Sequence, residues 1–193
     1  MQDLIDKSFQ DLESSVKNAE QEKTILKEAA ETIAQSLIKG GTIYICGNGG
    51  SAAEAQHFAA EFVGRFLLER PGLPAVSLSA DTSKLTAIGN DYGFAEVFAR
   101  QVKALGREGD VLWSLTTSGT SPNILEAIKA AREKGLKTIF MCGKPLSNPP
   151  DVDIIIHSPG TNTPRIQELH LFYGHLICEL VDTILFAPTK AKS

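Results

Sequence analysis

No excess of positive charge runs through this sequence. Lysine and arginine total 19 against 23 for aspartate and glutamate, a formal net charge of -4, so no overall field draws the chain to nucleic acid or an anionic membrane. Cysteine is scarce and odd in number: Cys46, Cys142 and Cys178 lie far apart among apolar neighbours, which suits reduced core thiols and excludes a disulfide framework. Long hydrophobic runs are also missing. No stretch approaches the length needed to cross a bilayer, and MQDLIDKSFQDLESSV alternates charge with hydrophobe where a signal peptide has an apolar core, so a cytoplasmic protein is expected. The 193 residues suffice for one substantial core and are short for two, so one domain is expected.

What is present is alternation. From Gln2 to Ile38 apolar residues recur at helical spacing, with Ile25, Ala29, Ile33 and Leu37 on one face, and two helices broken near Glu20 are expected. Amphipathic helices placed ahead of a first strand cover a neighbouring element or another subunit. Gly40 and Gly41 stop the second helix. Five short apolar runs follow: TIYIC (42–46), PAVSLS (74–79), DVLWSL (110–115), KTIFMC (137–142) and VDIIIH (152–157). Helical segments separate several of them, which predicts an α/β fold with a mostly parallel five-stranded sheet. Ligands then belong beyond the carboxyl ends of the strands, in the loops after Cys46, Ser79, Leu115 and Cys142. A helix from Pro164 to about Leu185, apolar on most of its circumference, should be buried or shared at an interface.

Two of those loops suit an anion. Gly47-Asn48-Gly49-Gly50-Ser51 leads from the first strand into a strongly helical segment, where glycine lets backbone N–H groups approach a ligand and a helix N-terminus favours negative charge. Ser51 and Glu54 have the spacing of a capping box. The glycine spacing is not the dinucleotide-binding GxGxxG, and no GK[ST] ending follows, which disfavours a nucleotide. The second loop, Thr116-Thr117-Ser118-Gly119-Thr120-Ser121, precedes Pro122 at the first turn of a helix and clusters hydroxyl donors. Neutral donors converging from two loops favour a compact monophosphate over a polyphosphate.

Acid–base and metal candidates fall on two helices. His57 and Glu61 are four residues apart on the helix that opens at the first loop, so they share a face and can hold one divalent ion or one substrate; taken alone, such a pair is an ordinary surface hydrogen bond. The final helix carries Gln167, Glu168, His170 and His175 among apolar residues, and buried polar groups need partners. Gln167 and His175 are about 12 Å apart along an ideal helix. Either an ion sits between them or a neighbouring chain supplies a donor. His170 is expected to be a core or capping residue.

Four segments, CGNGGSAAEAQHFAAEFVGRF, AIGNDYGF, TTSGTSPN and RIQELH with His175 beyond it, together resemble bacterial phosphoheptose isomerases of the sugar isomerase (SIS) fold, in family order and over nearly the whole chain. The resemblance implies one three-layer SIS domain over 1–193, with N-terminal helices in 1–39 and an α/β core in 40–193. It implies interconversion of D-sedoheptulose 7-phosphate and D-glycero-D-manno-heptose 7-phosphate, toward the heptose of lipopolysaccharide or related glycans. Asn48, Gly49, Gly50, Glu61, Asn90, Asp91, Thr116, Thr117, Ser118, Ser121 and Gln167 fall on the family's substrate contacts, and Glu61 and His175 on its catalytic pair. His57, Glu61, Gln167 and His175 fall on zinc positions, one Zn2+ per subunit, in a homotetramer with sites at subunit interfaces. Two features depart from the pattern: GKPLSNPPDVD is shorter than the glycine-rich stretch of many relatives, and Pro164 stands where some have an acidic residue. Initiator-associating (DnaA-binding) proteins of the same fold tend to lose the catalytic carboxylate and histidine, whereas this chain keeps Glu61 and His175; an isomerase of another sugar phosphate is the remaining alternative.

Overall fold

The computed structural model describes residues 1–187. The two N-terminal helices are α1 (Gln2–Ala19) and α2 (Lys23–Ile38), separated by a single 3-10 turn at Glu20–Glu22, as the break in periodicity predicts. Beyond them come β1 (Ile43–Gly47), α3 (Gly50–Val63), β2 (Ala75–Ser77), α4 (Thr82–Tyr92), α5 (Ala99–Leu105), β3 (Val111–Thr116), α6 (Pro122–Glu133), β4 (Lys137–Cys142), β5 (Ile154–His157) and α7 (Thr163–Phe186). All five expected strands form, and β2 keeps only the middle of PAVSLS.

The strands lie in the order β2-β1-β3-β4-β5, every pair parallel. Both faces of such a sheet must be covered, which is why β1 and β3 read as continuous apolar runs with every residue buried. One core packs Ile45, Trp113 and Met141 against Ile33 of α2, Phe58 of α3 and Tyr173 of α7. The other packs Cys46, Leu112 and Phe140 against Val102 of α5 and Ile128 of α6. The result is three layers. Cys46, Cys142 and Cys178 are buried and unpaired, as their apolar settings predict.

The order also sets where a ligand goes. From β1 the chain crosses to β2 on one side, while β3 returns to β1's other side, so the loops after β1 and β3 diverge from adjacent strands and leave a crevice between them.

Two expectations are corrected. The helix after the first loop starts at Gly50, one residue before Ser51, because Gly49 as N-cap adopts φ 55, a conformation only glycine takes readily. Ser51 therefore caps nothing, and Glu54 turns toward α7, where its Oε2 lies 3.7 Å from His170 Nδ1. The absence of a long apolar run is amended as well: by length and composition α7 is apolar enough to cross a membrane, with a mean hydropathy of 1.4 over 18 residues. Its buried face packs on α2 and α3 and takes His170 and Asp182 into the interior, the pattern of a core helix.

Candidate active site

The crevice between β1 and β3 holds a small pocket of about 70 Å³, lined by Asn48, Ser51, Thr116, Thr117, Ser118, Ser121 and Gln167. That is room for an anion-sized group, far below the several hundred Å³ that enclose a whole small-molecule ligand. Its polar lining is hydroxyl and amide, with no lysine or arginine. Thr116 Oγ1 stands at the centre of the hydroxyl cluster, 3.4 Å from Ser118 Oγ and 3.3 Å from Ser121 Oγ, and it accepts from the Gly119 N–H at 3.2 Å. Ser121 is the N-cap of α6 but makes no capping bond through its side chain, so its hydroxyl stays turned to the pocket cluster. The N-termini of α3 and α6 both open at this crevice and add their dipoles to it.

Gly50 brings the third wall close. A β-carbon there would overlap the Gln167 amide, so glycine is what lets α7 lay that amide against the first turn of α3. Two further residues brace the loops and were not foreseen from sequence. Asn48 and Asn123 exchange paired amide bonds of 2.9 and 2.8 Å, tying the β1 loop to α6. Ser79 Oγ donates to the Gly47 carbonyl at 2.9 Å. Asn123 sits inside TTSGTSPN, so its motif was visible although its partner was not.

Farther along α3, His57, Glu61 and His175 bring one donor atom each within 4.8 Å of one another. Glu61 Oε1 lies 3.4 Å from His57 Nε2, and the His57 and His175 Nε2 atoms are 2.7 Å apart, so one ring donates and the other accepts. Phe66 stacks on the His175 ring at 5.5 Å, and Phe58 meets it edge-on at 6.3 Å. Gly174 is required beside it, because a β-carbon would overlap the Phe58 ring.

The donor set of two imidazoles and one carboxylate is that of a catalytic divalent site with an open position. A tetrahedral zinc ion holds neighbouring donors about 3.3 Å apart; the His57–Glu61 spacing of 3.4 Å fits, while the 2.7 Å between the imidazoles is that of a hydrogen-bonded pair that an ion would spread. These residues form a possible metal-binding group. The Gln167 amide lies against Gly50, at the first turn of the helix whose next turns carry His57 and Glu61.

Asn90 and Asp91 lie exposed at the end of α4, hydrogen-bonded to each other at 2.8 Å and outside the pocket lining. His170 is wholly buried, a core residue as expected. A larger cleft of about 450 Å³ lies between Asn18, Glu22, Lys144 and His157, so chemistry and not volume selects the site.

The SIS domain model matches residues 8–143. The phosphoheptose isomerase of Thermodesulfovibrio yellowstonii is 52% identical over 170 residues, 88% of this chain and 85% of the relative. That of Helicobacter pylori is 49% identical over 187 residues, covering 93% and 95%. The solved structure of phosphoheptose isomerase from Neisseria gonorrhoeae superimposes with a TM-score of 0.87 at 43% identity, covering 94% of this chain and 98% of that one. Fold and site thus define a SIS-domain isomerase. The chain belongs to the phosphoheptose isomerase family.

Proposed function

We propose that the protein interconverts D-sedoheptulose 7-phosphate and D-glycero-D-manno-heptose 7-phosphate, supplying heptose for lipopolysaccharide or a related glycan. The observation that carries this reading is the His57–Glu61–His175 group standing on helices that open at a phosphate-sized pocket. In the proposal the phosphate enters between the Asn48–Ser51 loop and the Thr116–Ser121 loop, with the Gln167 amide beside it. A heptose phosphorylated on C7 carries its reacting carbons, C1 and C2, at the opposite end of the molecule. A span of about 10 Å along α3 between Gly50 and His57 suits that separation of handle from chemistry.

Ketose-to-aldose conversion requires a base to take the C1 proton, an acid to protonate the C2 oxygen, and return of a proton to C2 as the O1 proton leaves. Glu61 is the proposed base and His175 the proposed acid. Glu61 Oε1 faces His57, which leaves the other carboxylate oxygen for the proton. His57 holds the edge of His175, and Phe66 covers its face, so the ring is fixed in orientation and shielded on one side from water. The proposed metal is one Zn2+ per subunit on His57, Glu61 and His175, with Gln167 of this chain or of a neighbour as a further donor. Bound there, such an ion would supply Lewis-acid polarisation of the substrate carbonyl.

The proposed assembly is a cytoplasmic homotetramer. Leu4, Ile5 and Phe9 of α1 and Phe172 of α7 are exposed apolar side chains, which supports burial against further copies. Replacement of Glu61 by Gln is expected to lower kcat by about 10²–10⁴-fold while inorganic phosphate binding, followed by calorimetry, stays unchanged. Turnover retained in Glu61→Gln would remove Glu61 as the base.

A further inference from the structure

A helix end leaves its last carbonyls without partners inside the helix. At the end of α3 those carbonyls belong to the turn that presents Glu61, and one side chain takes them. Arg70, on the loop that follows α3, donates from Nη2 to the Glu61 carbonyl at 2.9 Å and from Nη1 to the Phe62 carbonyl at 2.7 Å. The same Nη1 lies 3.2 Å from the Pro71 carbonyl within its own loop. Its Nε donates to Asp182 Oδ1 on α7 at 2.8 Å. The two side chains are 1% and 2% exposed, so this is a buried charge pair that also sits on the negative end of a helix dipole.

The geometry couples the two proposed proton-transfer groups. Asp182 lies two turns beyond His175 on α7. The loop between α3 and Arg70 carries Phe66, which stacks on His175. Leu73 closes the loop, its N–H donating to the Phe62 carbonyl at 2.9 Å. The end of α3 under Glu61, the loop over His175 and the body of α7 therefore meet at one guanidinium.

We propose that Arg70, held by Asp182, is a positioning residue for the isomerisation: it locks α3, the 64–73 loop and α7 in the register that keeps Glu61 and His175 facing each other. The role rests on the function proposed above, and it extends to any metal those residues hold. No lysine can replace this fork, because an ammonium lacks the planar set of donors that serves carbonyls and carboxylate together.

The test uses the full-length Arg70→Lys protein, with folding checked by circular dichroism and cooperative thermal unfolding. Expected is a kcat lowered about 10- to 100-fold, as for a displacement of the order of 1 Å, with KM within about twofold because the pocket takes Ser51 and Gln167 from the opposite ends of α3 and α7, about 15 Å or more along each helix from the Arg70 contacts. A second readout needs no turnover: the visible absorption spectrum of added Co2+, which reports ligand geometry, is expected to differ from that of the parent protein. A folded Arg70→Lys protein with parental kcat and parental Co2+ spectrum overturns the proposal. Should Arg70→Lys fail to fold, Asp182→Leu, close in size and with no acceptor for the Arg70 Nε–H, releases the α7 side and is measured in the same way and judged by the same outcomes. If the parent protein does not turn over sedoheptulose 7-phosphate, the functional reading fails, and the Co2+ spectrum still decides the positioning role.

Discussion

Replacing Gly50 by alanine separates binding from stability at a single residue. The backbone at Gly50 has a negative φ that alanine adopts without strain, and such a change stabilises by about 0.4–1 kcal/mol through the unfolded chain, so thermal stability is expected to hold or rise. The added methyl, however, displaces the Gln167 amide from the pocket wall. A raised KM with unchanged or higher melting temperature is the expected outcome in steady-state kinetics and calorimetry. Residues of this kind were partly legible. The glycines and hydroxyls of the two loops announce an anion site because their chemistry is local. The contact of Gly50 with Gln167 is not, since nothing in either segment encodes the approach of a helix more than a hundred residues away. His57 and His175, 118 residues apart, are joined at the sequence level only by the family resemblance; their own spacing does not bring them together until α3 and α7 pack.

At the scale of elements, strands and helices could be read from the apolar runs, because a parallel sheet covered on both faces demands unbroken hydrophobic strands. The start of α3 departs from the expectation for a physical reason: Ser51 and Glu54 have the spacing of a capping box, but Gly49 at φ 55 begins the helix earlier. The buried faces of β1, β4 and α7 also determine the state of the thiols. Burial, with the Glu22 carboxylate as the lesser cause, pushes the Cys142 thiol at the end of β4 up to about 11, and burial raises Cys46 and Cys178 as well. A folded-state value above that of the unfolded chain contributes stability that is fully present below about pH 8.5 and is lost as pH rises toward the folded value. Urea unfolding midpoints should therefore fall between pH 8 and pH 10.5, and a thiol reagent at pH 8 should label the three cysteines only after unfolding. Rapid labelling of the native protein at pH 8 would contradict this packing.

For the whole molecule, the site and the unpartnered apolar surface point the same way. Leu4 is 69% exposed and Phe9 72% exposed on α1, a large cost in water unless another copy covers them. Sedimentation should give a mass near four times the 20.8 kDa of one chain, and Phe9→Glu should lower it. A monomer at micromolar concentration would contradict the assembly. Asn90 and Asp91, exposed and outside the pocket of their own chain, are the residues whose proposed substrate contacts most need such a neighbour. The single chain otherwise holds an anion-sized polar pocket and, on α3 and α7, the His57–Glu61–His175 group that could hold a metal ion.

The most direct test of that arrangement is to incubate the protein with sedoheptulose 7-phosphate in deuterated water and follow the products by NMR, with zinc and with a chelator, beside Glu61→Gln. Expected are manno-heptose 7-phosphate carrying deuterium at C2, loss of turnover on chelation, and no turnover in the variant. A folded protein that leaves sedoheptulose 7-phosphate unchanged with zinc present, or a Glu61→Gln protein as active as its parent, would contradict it.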